Sequence, residues 1–222
     1  MIAYYESGAV QLKSNYVDGV PQGEEIWYYP NGLVERKANY VDGKLHGEEI
    51  WYYPNGGIWG KRNYVDGVRQ GEEIYYYKNG VIDVKYNYVD DEQTGEQINY
   101  SDSGAIIAKR NFLNNMAHGK WTRYYESGAV EWEANYLYME TMGRSVAQGA
   151  MIWYYENGVI MEKDNYVDGV QQGEEIHYYK NGVIDVKYNY VDGELQGEAI
   201  WYHENGEIDI IENYKDGVLI ED

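Results

Sequence analysis

Cysteine is absent from the 222 residues, proline occurs three times and phenylalanine once. Without cysteine there is no disulfide scaffold, no thiolate zinc site and no cysteine nucleophile. Basic residues are scarce as well: 18 Lys and Arg stand against 38 Asp and Glu, a formal charge of −20. Such a chain repels nucleic acid and anionic lipid. No apolar run approaches a membrane span, and the N-terminal MIAYYESGAV has neither a basic n-region nor an apolar h-region, so a soluble, cytoplasmic protein is expected. Of the four histidines, His46 and His118 share one turn column while His177 and His203 fall in different strand columns. No pair has ligand spacing, so neither a metal nor a cofactor is expected. Ser7, Ser103 and Ser127 stand at a turn position and leave no Ser-His-Asp set. The acidic run Asp90, Asp91 and Glu92 offers fewer oxygens than calcium takes. No catalytic residue emerges, and the chain is expected not to be an enzyme.

What is abundant is tyrosine (28), tryptophan (7) and glycine (26), and these recur. Gly8, Gly32, Gly56, Gly80, Gly104 and Gly128 are 24 apart; after one slip of 30 the series resumes at Gly158, Gly182 and Gly206. Nine units fill residues 1–222 as a single repeat array, with six extra residues in the turn at about 137–148, LYMETMGRSVAQ. Residues 71–90 and 173–192 are identical except that Tyr75 is replaced by His177, which indicates block duplication.

Each unit holds two stretches rich in Ile, Val, Tyr and Trp between turn residues, too short for a helix of ordinary length. The expected fold is therefore all-β: an elongated, right-handed-twisted single antiparallel sheet, a meander of nine 24-residue β-hairpins. Roughly 18 strands at about 4.8 Å spacing would span on the order of 85 Å. At Pro30-Asn31-Gly32 a three-residue loop competes with a two-residue Asn-Gly loop. Opposite charges favour the former, since it sets Glu25 by Lys37, Glu49 by Lys61, Glu73 by Lys85 and Glu175 by Lys187. Alternation then places Ile26, Tyr28 and Val34 on a covered face and Glu25, Trp27, Tyr29 and Lys37 on the other. The asparagines that precede Tyr or Phe112, from Asn15 to Asn213, are expected to be structural, at a left-handed bulge or in an amide ladder.

The segment Y-V-D-G-K-L-H-G-E-E-I-W-Y-Y-P-N-G at 40–56 resembles a MORN repeat, and the Tyr-Tyr-x-Asn-Gly hairpin is similar to that of the bacterial MORN variant. The resemblance covers essentially the whole chain, with the Asp-Gly step altered at Asp91, Asn115 and the long sixth turn. It implies an extended twisted sheet with a scaffold or binding role, and some bacterial members resemble antitoxins or immunity proteins. The candidate partner-binding residues are the rings of the open face: Trp27, Trp51, Tyr75, Trp153, His177 and Trp201 in one column, with Tyr29, Tyr53, Tyr77, Tyr125, Tyr155 and Tyr179 beside them. Arg123 belongs to this set, since Asn99 and Arg123 interrupt the ring column near the long turn. These rings either supply binding area at low entropic cost or stack to shield a single-layer sheet. A non-enzymatic module that binds a basic, toxin-like protein is the leading expectation. The alternatives are a scaffold self-associating through open sheet edges, a membrane-associated MORN adaptor, which the charge opposes, and an acidic mimic of nucleic acid.

Overall fold

The computed structural model describes residues 1–220, and no helix occurs among them. The expected all-β antiparallel architecture is found. Strands form eighteen hairpin arms and seven short segments of two to four residues that each follow a turn. They belong to two compact units, one made of Met1–Ile106 with Phe112–Asn115, the other of Ile107–Asn111 with the described residues from Met116. Within the first unit successive hairpins pair edge to edge, as Val34–Val41 does with both Val20–Tyr28 and Gly47–Tyr52. The second repeats the arrangement, as Ile184–Val191 pairs with both Gly173–Tyr178 and Gly197–Tyr202.

The hairpin tip is the three-residue loop. Tyr29 N donates to Leu33 O at 2.8 Å and Gly32 N to Tyr29 O at 2.9 Å, with Gly32 at a φ of 84° that a Cβ would disfavour. Below the tip, however, the register slips. Tyr28 pairs with Val34, but Trp27 pairs with Arg36, so Glu35 is bulged out, and the same irregularity recurs at Trp51/Tyr52, His177/Tyr178 and Trp201/Tyr202. Glu25 therefore stands opposite Ala38, Glu49 opposite Arg62, Glu73 opposite Tyr86 and Glu175 opposite Tyr188. The four Glu–Lys cross-strand pairs expected from alternation do not form. Exposed ion pairs contribute only about 0–1 kcal/mol each, too little to dictate a register that a bulge resets at every hairpin.

The second turn is a two-residue loop: Val41 pairs with Lys44 across Asp42 (φ 49°) and Gly43 (φ 79°). Where glycine is missing the geometry persists, with Asp91 at φ 66° and Asn115 at φ 67°. Their side chains offset the strain. Asp91 Oδ1 accepts from Arg69 N at 2.9 Å, and Asn115 Oδ1 from Gln93 N at 2.7 Å. In the long sixth turn the added residues extend the paired arms, Tyr136 to Ala147 through Met139 to Arg144, and Gly143 N closes the tip on Met139 O at 2.9 Å. The repeated asparagines are structural, and neither expected device describes them: Asn39 Nδ2 donates to His46 O and Asn165 Nδ2 to Gln172 O, clamping the kink before a positive-φ glycine.

The slip also changes the faces. Glu25, Trp27, Arg36, Ala38 and Tyr40 share one side, whereas Lys37 joins Ile26 on the other. The more deeply covered side is the one expected to be open: Glu25, Glu49 and Glu73 are 8%, 2% and 4% exposed, while Ile26, Tyr28 and Val34 are half-exposed. A single-layer sheet has no second layer, so burial comes from long side chains lying across neighbouring strands. Trp, Arg and Tyr on this side reach over the short stems between them, which Ile and Val cannot do.

Candidate functional site

The candidate site is this aromatic face, and its rings fall into two groups by what their polar ends do. Tyr29, Tyr53 and Tyr77 donate their hydroxyls to the backbone carbonyls of Tyr52, Tyr76 and Tyr100 at 2.6–2.7 Å. Tyr125, Tyr155 and Tyr179 do the same to Tyr154, Tyr178 and Tyr202 at 2.7–2.8 Å. Each bond ties one hairpin to the next through a carbonyl beside the bulge, so this column fastens repeats together.

The other column is set on charge. In the first unit Trp27 Nε1 donates to Glu25 Oε1 at 2.9 Å, and the Arg36 guanidinium bridges Glu25 at 3.0 Å and Glu49 at 2.5 Å. Arg62 continues the line, 3.4 Å from Glu73 and 3.9 Å from Glu49, and donates to Tyr75 OH at 2.8 Å. Tyr75 in turn donates to Glu73 Oε1; burial first, then Glu73, pushes its pKa up to about 12. Over this alternation of carboxylate and guanidinium lie the rings. Trp51 stacks on Trp59 with centroids 5.5 Å apart and planes 10° apart, Tyr75 meets Trp59 edge-on at 5.4 Å, and Arg62 lies 4.4 Å from the Trp51 ring. Gly60 makes the room: a Cβ there would stand 3.0 Å from the Tyr75 ring. An open depression of about 210 Å³ is lined by Tyr29, Arg36, Trp51 and Trp59.

In the second unit the same positions carry different charges. Glu162 pairs with His177 across two strands, and Asp164 lies two residues on along the same face. His177 Nε2 is 2.5 Å from Glu175 Oε1, and its Nδ1 is 3.8 Å from Glu162 Oε2. The hydrogen bond to Glu175 raises the His177 pKa. Burial raises that of Glu162 and, with Glu162 and Glu175 nearby, drives Asp164 up to about 7. Trp201 meets Tyr188 edge-on at 5.7 Å, Trp153 pairs with Trp132 across strands, and Arg123 is exposed with Nε 2.8 Å from Glu131. Back in the first unit, Asn99 accepts from Gln97 at 2.8 Å.

The expected residues thus lie on one face within each unit. Trp59, which strict alternation already sets opposite Trp51, was not singled out, and alternation alone missed Arg36, Arg62 and Tyr86, which the bulge turns onto this face beside Trp51 and Tyr75. A bulge-aware register would have found them.

Compared with known proteins, the chain matches a family model described as "MORN repeat variant" at residues 21–42, 45–66, 69–90, 117–138, 147–168, 171–192 and 195–216. No curated protein sequence matches it. Among solved structures, similarity is found to one titled "Crystal Structure of TcdB2-TccC3-Cdc42", at 12% identity and a TM-score of 0.24, covering 96% of this chain and 14% of that one. Another is a porin-like protein from Bacteroides uniformis, at 9% identity and a TM-score of 0.25, covering 94% of this chain and 90% of that one. The chain thus spans about a seventh of the first of these.

Proposed function

We propose that this chain, which belongs to the MORN repeat variant family, is a non-enzymatic module that binds a basic protein through the aromatic face, in the manner of an antitoxin or immunity protein. The observation that carries the reading is the Trp51–Trp59–Tyr75 patch, half-exposed, stacked and seated on a rigid Glu–Arg lattice. Preorganised rings lose little entropy on contact and serve as binding hot spots. A formal charge of −20 selects and steers a cationic partner.

The test is co-purification with the product of the adjacent gene, followed by titration of that protein with Trp59→Ala and Trp51→Ala. Each substitution should weaken binding by about 2 kcal/mol, or roughly 30-fold, and added salt should slow association. Binding that ignores both the rings and the salt sinks the reading. Self-association is the alternative, favoured by the exposed Ile208, Ile210 and Ile211 on one late strand. Light scattering across protein concentration separates the two, because only self-association raises the mass of the isolated chain.

A further inference from the structure

The duplicated block offers an internal comparison. Between residues 71–90 and 173–192 the one change is Tyr75 to His177, and in the strand paired with each block Trp-Gly-Lys-Arg at 59–62 becomes Met-Glu-Lys-Asp at 161–164. Three of these four differences meet at one place. Gly60, Arg62 and Tyr75 around Glu73 are matched by Glu162, Asp164 and His177 around Glu175. The substitutions remove the Arg62 guanidinium from beside the glutamate and add two carboxylates and an imidazole, while the second guanidinium on Glu73, Arg69, is replaced by the neutral Gln171. They are also sterically coupled: the Tyr75 ring occupies the space above Gly60, whereas the smaller His177 ring leaves room for a side chain at Glu162.

The geometry points to a divalent transition-metal site formed by Glu162, Glu175 and His177 with Asp164. One ligand atom from each of Glu162, Glu175 and His177 lies within 4.8 Å of the others, so modest side-chain rotation brings all three to bonds of about 2.0–2.2 Å. The second observation is Asp164. It is 3% exposed, and its Oδ1 is buried with no hydrogen-bond partner, at the position where Arg62 carries its charge in the other copy. A buried carboxylate oxygen among acids calls for a cation; among the described residues His177 is the one basic group paired with these acids, and the other donors are neutral, the Gln171 amide to Glu175 and the Tyr166 hydroxyl to Asp164 Oδ2 at 3.5 Å. One imidazole nitrogen with carboxylate oxygens suits Zn²⁺ or Mn²⁺ better than Mg²⁺ or Ca²⁺. Residue spacing along the chain conceals the set, because the ligands lie at i and i+2 on two paired strands.

The experiment is titration of the chelator-stripped full chain with Zn²⁺ by calorimetry and with Co²⁺ by visible absorption. One equivalent of Co²⁺ with ligand-field bands, displaced by Zn²⁺, is expected. The triple variant Glu162→Gly/Asp164→Arg/His177→Tyr, which installs residues that the other copy accommodates at these three positions, is expected to lose the bands while its circular dichroism is kept. Glu49→Gln, in the arginine-closed cluster, should leave them intact. No stoichiometric uptake, or uptake unchanged in the triple variant, overturns the site. Partner binding through the Trp51–Trp59 patch is a separate measurement and can succeed or fail independently.

Discussion

The two units carry one lattice with two electrostatic solutions. In the first, guanidiniums at Arg36 and Arg62 alternate with Glu25, Glu49 and Glu73, and tryptophans close over the row. In the second, acids occupy the arginine positions and His177 stands among them. Hydroxyl-to-carbonyl bonds from Tyr53 and Tyr155 are the same in both. Backbone pairing and the tyrosine column therefore hold the sheet, leaving the chemistry between the strands free to diverge.

The largest effect should come from breaking the closed lattice. Arg36→Ala strands Glu25 and the nearly inaccessible Glu49, and is expected to cost about 3–5 kcal/mol in denaturant unfolding. Adding Glu49→Gln should restore much of that loss. A cost under about 1 kcal/mol would show that solvent already screens the row.

The open cluster should respond to pH instead. Asp164, with its pKa raised from 3.8 to about 7, binds its proton more tightly folded than unfolded. Its contribution is thus present below about pH 4 and lost as pH rises toward 7 and beyond. His177, also raised, contributes stability below its unfolded value and loses it as pH rises through the folded one. Both slopes have the same sign. With chelator present, stability should fall from about pH 5 to pH 8, and Asp164→Asn should flatten the fall, gaining about 1–3 kcal/mol at pH 8. A stability that rises over this range contradicts the assignment.

Exchange between the copies sharpens the comparison further. Gly60→Glu drives a side chain into the Tyr75 ring and should cost about 1–3 kcal/mol, whereas the same change with Tyr75→His should cost less. Additive free energies in that double-mutant cycle would refute the steric coupling. The smallest effect is the shared one: Tyr53→Phe and Tyr155→Phe should each lose about 1 kcal/mol, and by similar amounts.

Much of the fold was legible because turns are local. Gly32 and the Asp42-Gly43 step announce loops of three and two residues, and each copy repeats them. The candidate site was less legible. Strict alternation from Val34 puts Lys37 beside Glu25, yet the bulge at Glu35 hands that place to Ala38 and brings Arg36, and in the next repeat Arg62, onto the ring face. A bulge displaces every later side chain of the strand by one face, and nothing in residue type at Glu35, Trp59 or Asp83 marks it.

From its repeats alone, the chain determined that hairpins of fixed length would pair in sequence, since glycine and aspartate positions admit few turn geometries and β-branched and aromatic residues favour strands. Tertiary structure decided which face is covered, which charges meet and where an imidazole lies among carboxylates. Those outcomes depend on register across neighbouring strands and on long side chains reaching over one another, and such relations exist only once the strands are side by side.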